Sequence, residues 1–587
     1  MSKMLTLTID GKTITCPEGT TILEAAKQAH IDIPTLCYMK DINEIGACRM
    51  CLVEVQGMRT LQASCVYPVF EGMVVNTRSK RVREARKMNL ELILSNHQRS
   101  CLTCLSNNHC ELRVLAGKLG IHDIRFDYGA PNRSHDTSNP SIERNNNKCI
   151  LCRRCVAVCK HIQKVEAIET VNRGMDSEIT TAFGRGAGDA ECILCGQCIT
   201  VCPTGALREK ISTDEVWDAL GDPTKHVVVQ IAPAVRAAIG EEFGYPMGTN
   251  VLGKMVAATR KLGFDKVFDT NTGADLTIME EGTELLNRLN NGGTLPMITS
   301  CSPGWIKYCE HFFPEMIPNL STCKSPHMMF GAMIKSHYAQ KMGIDPKDIV
   351  MVSVMPCVAK KFEVSRPEME VDGIRDVDYV LTTRELARMI KEASINFQDL
   401  ADEEFDNPFA AETGAAVIFG VTGGVMEAAL RTVAEKVAGR ELDSVDFIEA
   451  RGKTGTKEIA INAGGITLKG LVVSGVGNAK EVLTKIRENG GQSEYHFIEV
   501  MGCPGGCIMG GGQPKYDTQT RENVDVFAKR SSVLYGLDRT AKIRKSHQNP
   551  DITKLYEEWL GEPNSHVAHK FLHTSYVDRG RYGKTDI

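Results

Sequence analysis

The sequence has no long apolar run and no marked excess of charge of either sign. No stretch of its 587 residues approaches the roughly 20 consecutive apolar residues that a membrane-spanning helix requires. The formal net charge is −4 and 24% of residues are charged, which argues against a nucleic-acid or strongly basic membrane-surface role. The first residues, MSKMLTLTIDGKTITC, are polar and alternating and lack a signal peptide's apolar block. We therefore expect a cytoplasmic protein with no membrane span and no nucleic-acid partner.

A dinucleotide-binding fingerprint is also missing. The glycine-rich segment GVTGGVME, at residues 420–427, stands at a predicted helix start but lacks the spacing G-x-G-x-x-G. Any reaction with NAD(P) therefore requires a partner subunit that binds the nucleotide.

Cysteine, in contrast, is abundant and unevenly placed. The chain has 22 cysteines, of which sixteen precede residue 203 and none lies between residues 202 and 301. In a cytoplasmic chain this many thiols indicate metal or redox centres rather than disulfides. The length exceeds what one hydrophobic core supports, and it predicts about four domains. We interpret the N-terminal third as an electron-transfer region that precedes a larger domain of ordinary composition.

The first cysteine motif follows a predicted hairpin and helix. TLTIDGKTITC alternates around an Asp-Gly turn, and GTTILEAAKQAHI has helical spacing. Four cysteines with the spacing C-x10-C-x2-C-x13-C come next: Cys37, Cys48, Cys51 and Cys65. Four thiolates satisfy a 2Fe–2S cluster, and a four-cysteine zinc site is the competing interpretation. The segment resembles the β-grasp of plant-type ferredoxins, with different cysteine spacing, and predicts a β-grasp 2Fe–2S domain over residues 1–78.

A second motif places one histidine beside three cysteines, in a predicted domain over residues 79–120. His97 ends the helical run ARKMNLELILSNH, and Cys101, Cys104 and Cys110 follow it. An imidazole in place of a fourth thiolate removes negative charge and raises the potential of a 4Fe–4S cluster. Zinc is the main alternative for this ligand set.

The most specific motif is an internal repeat, in a predicted ferredoxin-like domain over residues 140–209. Each copy has the bacterial ferredoxin spacing C-x2-C-x2-C-x3-C, in which the fourth cysteine binds the cluster of the other copy. One 4Fe–4S cluster is expected to bind Cys149, Cys152, Cys155 and Cys202. The other is expected to bind Cys192, Cys195, Cys198 and Cys159. The motifs together predict a relay that passes single electrons between the surface and a deeper site.

Beyond residue 210, apolar segments alternate with helical ones, which predicts an α/β domain with buried parallel sheets. The predicted strands are HVVVQIAP, KVFDT, TLPMITSC, IVMVSVMPC, YVLTT, AAVIFG, LKGLVVSGV and YHFIEVMGC. The predicted helices are VLGKMVAATRKLG, TELLNRLN, TRELARMIKEA, MEAALRTVAEKVA and AKEVLTKIRE. Three of these strands run into turns that carry Cys301, Cys357, Cys503 and Cys507. Loops at the carboxyl ends of strands are where α/β folds bind ligands, although buried structural thiols are the alternative on local chemistry alone.

Together the segments SCSPGW, MPCVAKKFE and VMGCPGGCIMGGGQP resemble the signature loops of iron-only (FeFe) hydrogenases. The resemblance extends over the whole chain, with the ferredoxin-like modules in their usual order. It is greatest to the catalytic, large subunit of multimeric NAD(P)-linked hydrogenases, including electron-bifurcating ones. The tail from RKSHQNPDITKLYEEWLGEP to HKFLHTSY resembles the family's C-terminal wrap, a separate small subunit in some members. This implies an H-cluster domain over residues 210–530 and a small-subunit-like wrap over residues 531–587.

The resemblance implies reversible oxidation of H2 at an H-cluster, which is a 4Fe–4S cube joined to a di-iron unit with CO, cyanide and a dithiolate bridge. Electrons would pass through one 2Fe–2S and three 4Fe–4S clusters. The implied partners are ferredoxin, a flavin- and NAD(P)-binding Fe–S subunit and a small 2Fe–2S subunit, in a hetero-oligomer.

The resemblance also implies individual residue roles. Three cube ligands match Cys357, Cys503 and Cys507, with Cys507 bridging to the di-iron unit. Lys360 matches the residue that hydrogen-bonds a cyanide. The apolar walls match Pro233, Met355, Phe419 and Met501. The proton path matches Cys301, Glu281, Ser321, Glu284 and Arg288, although IMEEGTELLNR alone indicates only a salt-bridged helix surface.

One loop departs from the family pattern T-S-C-C-P-G-W. The cysteine that carries protons is present as Cys301, but the cube ligand that should follow it is Ser302. A hydroxyl has a far higher pKa than a thiol and is a poor iron ligand at neutral pH unless the metal deprotonates it. Nearby, Cys323 in STCKSP stands where relatives commonly have a small apolar residue.

This departure leaves three interpretations. In the first, the cube keeps three thiolates and adds Ser302, Cys301 or Cys323, and the chain is a hydrogenase. In the second, the di-iron unit is absent and the chain is an electron-transfer subunit of a larger complex, for example with a formate dehydrogenase. In the third, the chain is a hydrogen-responsive sensor with low turnover.

Overall fold

The computed structural model describes residues 3–126, 132–409, 411–453, 455–463 and 466–581. The first two residues of the predicted domain 1–78 and the last six of the predicted wrap 531–587 lie outside the described residues. Within these ranges no helix is both long enough and apolar enough to cross a bilayer.

The N-terminal module is a five-stranded sheet of order β2-β1-β5-β3-β4. Its strands are β1 (Met4–Ile9), β2 (Lys12–Pro17), β3 (Leu52–Val55), β4 (Gln62–Ala63) and β5 (Val74–Asn76). The first two form the predicted hairpin, with Ile9 paired to Lys12 across Asp10 and Gly11, whose φ angles are 48° and 83°. Positive φ at both turn residues matches the twist of the flanking strands. Helix α1 (Ile22–Gln28) packs its apolar face on this sheet, so the predicted hairpin and helix are confirmed.

Two cysteine-rich modules follow. Helices α2 (Lys80–Ser95) and α3 (Glu111–Lys118) pack together through Leu90 and Leu112, on either side of the segment with one histidine and three cysteines. The ferredoxin-like repeat adds a three-stranded sheet of order β10-β7-β6 and a hairpin of β8 and β9. Its elements are β6 (His135–Asp136), β7 (Ile142–Asn145), β8 (Glu169–Val171), β9 (Glu178–Thr180), β10 (Leu207–Glu209), α4 (Arg154–Ala157) and α5 (Gln197–Val201).

The larger domain contains two four-stranded sheets. The first has the order β12-β11-β14-β17 and is entirely parallel, as predicted. The second has the order β13-β20-β19-β18, in which β18 runs antiparallel to its neighbour. The strands are β11 (His226–Ile231), β12 (Lys266–Asp269), β13 (Met297–Ile298), β14 (Ile349–Met355), β17 (Tyr379–Thr382), β18 (Thr456–Ala463), β19 (Ile466–Ser474) and β20 (Phe497–Met501), with a small separate hairpin of β15 (Glu370–Val371) and β16 (Ile374–Arg375).

Helices cover both sheets, so the central strands are buried on both faces and their sequences are continuously apolar. The helices are α6 (Thr213–Gly221), α7 (Leu252–Lys261), α8 (Asn271–Asn291), α9 (Pro303–Phe312), α10 (Pro326–Met333), α11 (Ala339–Met342), α12 (Ala359–Glu363), α13 (Thr383–Glu392), α14 (Gly414–Val417), α15 (Gly424–Ala438), α16 (Val476–Glu488), α17 (Thr518–Asn523) and α18 (Val526–Thr540). This arrangement places the cysteine-bearing loops at the carboxyl ends of the strands.

Two predictions for this domain need correction. AAVIFG, predicted as a strand, is helical, because α14 continues into a 3-10 turn over Ile418–Gly420. A short apolar run fits a buried helix as well as a strand, and the small buried side chains of Ala415 and Ala416 let it pack among α8, α15 and α18. The helix predicted for TELLNRLN is only the second half of α8, which begins at Asn271.

The C-terminal segment closes over the helix that carries the predicted proton path. Helices α19 (Pro550–Leu555) and α20 (His566–Leu572) pack with α8 and α10 in one apolar cluster. Beyond α20, the N–H of Thr574 donates to the carbonyl oxygen of Thr322 at 2.7 Å. The tail is thus part of the core of the larger domain.

Candidate active site and electron-relay sites

Three loops at the carboxyl ends of strands meet at one cavity. Strand β13 leads to Cys301, β14 leads to Cys357, and β20 leads to Cys503 and Cys507. All four cysteines line one cavity, whose volume of ≈ 780 Å³ includes space open to solvent. The convergence is the one expected for ligand sites at strand carboxyl ends.

The same cavity contains the other residues that the family resemblance assigns to the H-cluster. Its remaining polar groups include Ser302 and Lys360. Its apolar walls include Pro233, Met355, Phe419 and Met501. The roles of these residues stay predictions, but the fold brings all of them to one place.

The chemistry of this cavity fits an iron–sulfur cofactor. Burial, and then the neighbouring Cys357, raise the pKa of Cys507 to about 12 and that of Cys503 well above its usual value. Crowded, buried thiols gain nothing from ionising unless a metal supplies positive charge. None of the 22 cysteines, all of which lie in described residues, forms a disulfide. The donor set therefore suits a 4Fe–4S cube, with soft methionine side chains as walls.

Ser302 faces this cavity from the start of α9. It occupies the N-cap position, but its hydroxyl caps no N–H of that helix in the described chain. Instead, Ser302 Oγ accepts a hydrogen bond from the N–H of Gly502 at 3.1 Å. A Cβ on Gly502 would lie only 2.8 Å from this oxygen, so glycine is needed for the close approach. The hydroxyl is therefore held beside Cys503 at the position of the missing cysteine.

A buried charge network sits beside the thiols. Lys360 Nζ donates to the carbonyl oxygen of Cys301 at 3.1 Å and to Glu363 Oε2 at 2.7 Å. His327, which also lines the cavity, contacts the same oxygen through Nε2 at 2.6 Å. Burial alone would raise the pKa of Glu363, but the charge of Lys360 and then that of His327 bring it to about 2. The contact between Lys360 and Glu363 fixes the lysine side chain at the cavity wall.

The predicted proton path forms a line away from this cavity. Burial, and then the charge of Glu281, raise the pKa of the Cys301 thiol well above its usual value. Burial, and then the charge of Glu284, raise the pKa of Glu281 to about 8, and Ser321 hydrogen-bonds this carboxyl. Ser321 Oγ also donates to Glu284 Oε2 at 3.0 Å. One serine hydroxyl thus joins two carboxyl groups, as a proton relay requires.

Arg288 contacts Glu284, the carboxyl group of the predicted proton path that lies farthest from the cavity. Its Nη2 donates to Glu284 Oε1 at 2.6 Å. The guanidinium also donates to four backbone carbonyl oxygens, those of Thr294, Pro318, Asn319 and Leu320. Because guanidinium does not lose a proton in proteins, Arg288 orients Glu284 and does not itself carry protons.

Cys323 does not line the cavity. Its buried thiol lies 3.8 Å from Glu284 Oε2, and its backbone N–H donates to Ser321 Oγ at 3.3 Å. The structure therefore associates Cys323 with the proton line and not with Cys357, Cys503 and Cys507.

The repeated cysteine motif forms two separate pockets. One, of ≈ 590 Å³, is lined by Cys159, Cys192, Cys195 and Cys198. The other, of ≈ 390 Å³, is lined by Cys149, Cys152, Cys155 and Cys202. Each pocket takes its fourth cysteine from the other copy, which is the grouping that the ferredoxin pattern predicts.

The four cysteines of the predicted 2Fe–2S site approach one another in pairs. Cys51 Sγ lies 3.3 Å from Cys65 Sγ, and this contact is the main cause that lowers the pKa of Cys51 to about 7. A hydrogen bond from Cys37 likewise lowers the pKa of Cys48 to about 6. Two low-pKa thiols beside two others are a suitable donor set for a 2Fe–2S cluster.

His97 is buried, and burial lowers the pKa of its ring to about 4, which keeps it neutral. Its Nδ1 has no hydrogen-bond partner among the described residues. Cys104 and Cys101 lie close enough to raise the pKa of Cys110 further, after burial. A neutral imidazole with an unused buried nitrogen fits a metal ligand.

Models of known protein families match successive segments of the chain. The model "Iron only hydrogenase large subunit, C-terminal domain" matches residues 225–511, and "Iron hydrogenase small subunit" matches residues 524–579. A "2Fe-2S iron-sulfur cluster binding domain" matches residues 2–80. Two iron–sulfur models named after NADH oxidoreductases, the "NADH-ubiquinone oxidoreductase-G iron-sulfur binding region" and the "NADH-quinone oxidoreductase subunit 3, ferredoxin-like domain", match residues 86–125 and 139–208.

Relatives that match over their full length show which family the chain belongs to. The chain is 50% identical over 589 residues to "NADP-reducing hydrogenase subunit HndD" of Solidesulfovibrio fructosivorans, covering 98% of this chain and 100% of that protein. The chain belongs to the iron-only (FeFe) hydrogenase family. It is also 42% identical to "Iron hydrogenase 1" of Clostridium pasteurianum, covering 98% of this chain and 100% of that protein. The solved structure of a variant of the [FeFe]-hydrogenase HydA1 from Chlamydomonas reinhardtii covers 63% of this chain and 100% of that one, with 44% identity and a TM-score of 0.56.

In this hydrogenase, two glutamines that the sequence did not single out join the repeat to the active-site loop. Gln163 Nε2 donates to the carbonyl oxygen of Gly502 at 3.0 Å, and Gln197 Nε2 donates to that of Met509 at 3.1 Å. Cys195 is near enough to Cys503 to raise its pKa further, after burial and Cys357. One relay pocket therefore adjoins the active-site cavity.

Proposed function

We propose that this hydrogenase catalyses the reversible oxidation of H2 to protons and electrons at an H-cluster in the Cys357–Cys503–Cys507 cavity. The observation that carries the proposal is that the three thiols, the ammonium of Lys360 and the head of the proton line share one buried enclosure. A proton route and an electron route that meet at one metal-binding cavity are what H2 chemistry requires.

The chain's residues would hold and shape the cofactor. Cys357, Cys503, Cys507 and Ser302 would hold the cube, and Lys360 would donate to an anionic ligand. When bound, the H-cluster supplies the metal centre at which H2 is split or formed. The apolar walls exclude water, which strengthens each electrostatic contact inside.

Protons would move along the carboxyl line. Cys301 holds a proton at Sγ, because its raised pKa disfavours the thiolate. Glu281, with a pKa of about 8, can both accept and release a proton near neutral pH. Ser321 then passes the proton between Glu281 and Glu284.

Electrons would leave through the relay, for which we infer one 2Fe–2S and three 4Fe–4S clusters. The pocket of Cys159, Cys192, Cys195 and Cys198 adjoins the active-site cavity and would take electrons first. Three further clusters would carry the electrons to the surface. Their ligands would be Cys149, Cys152, Cys155 and Cys202 in the first, His97, Cys101, Cys104 and Cys110 in the second, and Cys37, Cys48, Cys51 and Cys65 in the third.

The acceptors would be ferredoxin and a flavin-bearing NAD(P) subunit, with a small 2Fe–2S subunit, in a cytoplasmic hetero-oligomer that can bifurcate electrons. Three observations support this assignment. A full-length relative is named an NADP-reducing hydrogenase subunit. The relay modules match models named after NADH oxidoreductases. The sequence lacks a dinucleotide fingerprint of its own.

The test is infrared spectroscopy of the chain after anaerobic expression with hydrogenase maturation factors. We expect the CO and cyanide stretching bands of the di-iron unit together with H2 turnover by the same sample. A chain that has full relay iron but neither bands nor turnover would instead be an electron-transfer subunit, which is the role that Ser302 favours as a second candidate.

A further inference from the structure

A cluster of polar side chains adjoins Glu284 on the side away from the cavity, and the proton line does not use it. The C-terminal segment contributes His573 and His569, and α8 contributes Glu280, one turn before Glu284. A ring nitrogen of His573, a carboxylate oxygen of Glu284 and the sulfur of Cys323 all lie within 4.8 Å of one another. One bridging water molecule spans such a distance.

Hydrogen bonds fix the orientation of the His573 ring. Nε2 lies 3.0 Å from Glu280 Oε2, and Nδ1 lies 2.7 Å from Thr322 Oγ1. Glu280 is fully buried and also accepts hydrogen bonds from the Tyr556 hydroxyl and, at 2.8 Å, from the N–H of Asn564. A carboxylate that accepts at Nε2 keeps the proton there and leaves Nδ1 as a base. The ring is therefore poised to take up a second proton, and Glu280 would stabilise the imidazolium that results.

His569 connects this buried ring to solvent. The two imidazoles are stacked with centroids 4.0 Å apart, and His569 is exposed. Burial of part of its ring, and then the nearby His573, lower the pKa of His569, which favours release of a proton to water. The other neighbour of Glu284 at this end, Arg288, cannot exchange a proton.

We propose that His573 and His569, oriented by Glu280, form an exit branch that exchanges protons between Glu284 and solvent. In the direction of H2 oxidation, the O–H bond of protonated Glu284 breaks and its proton passes to a bridging water. That water gives one of its own protons to a ring nitrogen of His573. The imidazolium then passes a proton through water to a ring nitrogen of His569, because the stacked rings, both among the described residues, share no hydrogen bond. His569 releases a proton to solvent, and Glu284 remains as a carboxylate. No electrons move, and the reverse sequence supplies protons for H2 formation.

The engagement of these groups argues against a metal site. Glu284 already accepts from Ser321, Arg288 and the N–H of Thr322, and both nitrogens of His573 have partners. Among these groups Glu284 and His573 can gain or lose a proton, whereas Arg288 and the backbone N–H only orient the carboxyl group. The inference rests on the proposed function, because the branch serves a proton line that starts at the H2 site.

The test follows deuterium uptake by the buried carboxyl of Glu281 in the full chain with its clusters. The carboxyl C=O infrared band, assigned by its loss in Glu281→Gln, is followed after transfer into D2O. We expect His573→Gln and His569→Gln each to slow uptake at least tenfold and to lower H2 turnover by a similar factor, with KM for H2 unchanged. Imidazole should restore both rates in His573→Ala.

His566→Gln is the matched control, because His566 is an exposed residue of the same helix outside the branch. Equal deuterium uptake in wild type, His573→Gln and His569→Gln would overturn the proposal, even if His573→Gln lowered the melting temperature. His569→Gln guards against misfolding, since an exposed ring contributes little to the core. A wild-type chain that showed no H2 turnover would overturn the proposed function, whereas the deuterium measurement would still decide the exit branch.

Discussion

The N–H of Gly502 donates a hydrogen bond to Ser302 Oγ at 3.1 Å, which ties the loop after β13 to the loop after β20. The bond spans 200 residues and sets the hydroxyl beside Cys503, within the cavity of the three thiols. It uses one lone pair of the oxygen and leaves the other available. We therefore propose that the Ser302 oxygen binds the cube in place of the missing family cysteine.

Ser302→Ala is expected to weaken cofactor retention, and Ser302→Cys is expected to preserve it. A methyl group offers no lone pair, whereas a metal can deprotonate either a hydroxyl or a thiol. We expect the alanine variant to lose more than about tenfold in H2 turnover together with iron from this cavity. Iron analysis and electron paramagnetic resonance of the reduced cube measure the effect. If Ser302→Ala kept its full iron content and the unchanged cube signal, Ser302 would not be a ligand.

Glu281→Gln is expected to block proton transfer while leaving the cofactor intact. The amide cannot cycle a proton between Cys301 and Ser321, and positioned proton transfer typically contributes about 10²–10⁴-fold to a rate. H2 turnover should fall by a factor in this range, whereas the CO and cyanide bands should keep their intensity. Glu435→Gln is the control, because this α15 carboxylate pairs with Lys545 and His547 and, in the described part of the chain, bonds no member of the line. Turnover within about twofold of wild type in Glu281→Gln would exclude the carboxyl from the path.

The same substitution should change how stability depends on pH. Burial raises the pKa of Glu281 from an ordinary 4.5 to about 8, so the folded chain holds this proton over a range in which the unfolded chain has lost it. Wild type therefore loses stability as pH rises from about 4.5 to about 8, with a slope of up to about 1.4 kcal/mol per pH unit from this group. Glu281→Gln removes that loss. Its melting temperature relative to wild type should rise between pH 5 and pH 8, and a constant difference would contradict the buried, raised pKa.

The cysteine ligand candidates could be predicted from the sequence because each follows a local pattern. Cys357 and Cys503 follow apolar strands, which predicts a ligand site at strand carboxyl ends, but β14 and β20 belong to different sheets, and the family resemblance was needed to group the two residues. The repeat of four cysteines likewise encodes its own crosswise pairing. The relay pairing needs only short-range spacing, whereas the cube ligands follow only from the resemblance to the family.

The polar groups around these thiols could not be predicted in this way. His573 meets Glu280 across 293 residues, and Gln163 meets Gly502 across 339 residues, so no local pattern marks either contact. The strand predicted for AAVIFG failed for a related reason. A six-residue apolar run carries no period that separates strand from helix, and tertiary packing around Ala415 and Ala416 decides the outcome.

Lys360→Met is expected to reduce retention of the di-iron unit without affecting the relay. The substitution removes the ammonium that bonds the Cys301 carbonyl and Glu363, and an anionic guest would lose its nearest cation. The ratio of CO and cyanide band intensity to relay iron should fall severalfold. Lys361→Met is the control, because its ammonium bonds Ser212, Glu385 and a backbone carbonyl away from the cavity. That variant should lose stability but keep the ratio, and equal ratios in both variants would contradict the role of Lys360.

His97→Cys is expected to move the potential of one relay cluster to a more negative value. A thiolate in place of a neutral imidazole adds negative charge to the cluster and stabilises its oxidised form, by on the order of 100 mV. The buried Nδ1 of His97, which has no hydrogen-bond partner in the described residues, is the observation behind this expectation. A redox titration followed by electron paramagnetic resonance measures the shift. His109→Ala is the matched control, since this half-exposed ring has a carboxylate neighbour, Glu242, at 3.5 Å. A relay whose cluster potentials all stay at their wild-type values in His97→Cys would assign the fourth ligand to another residue.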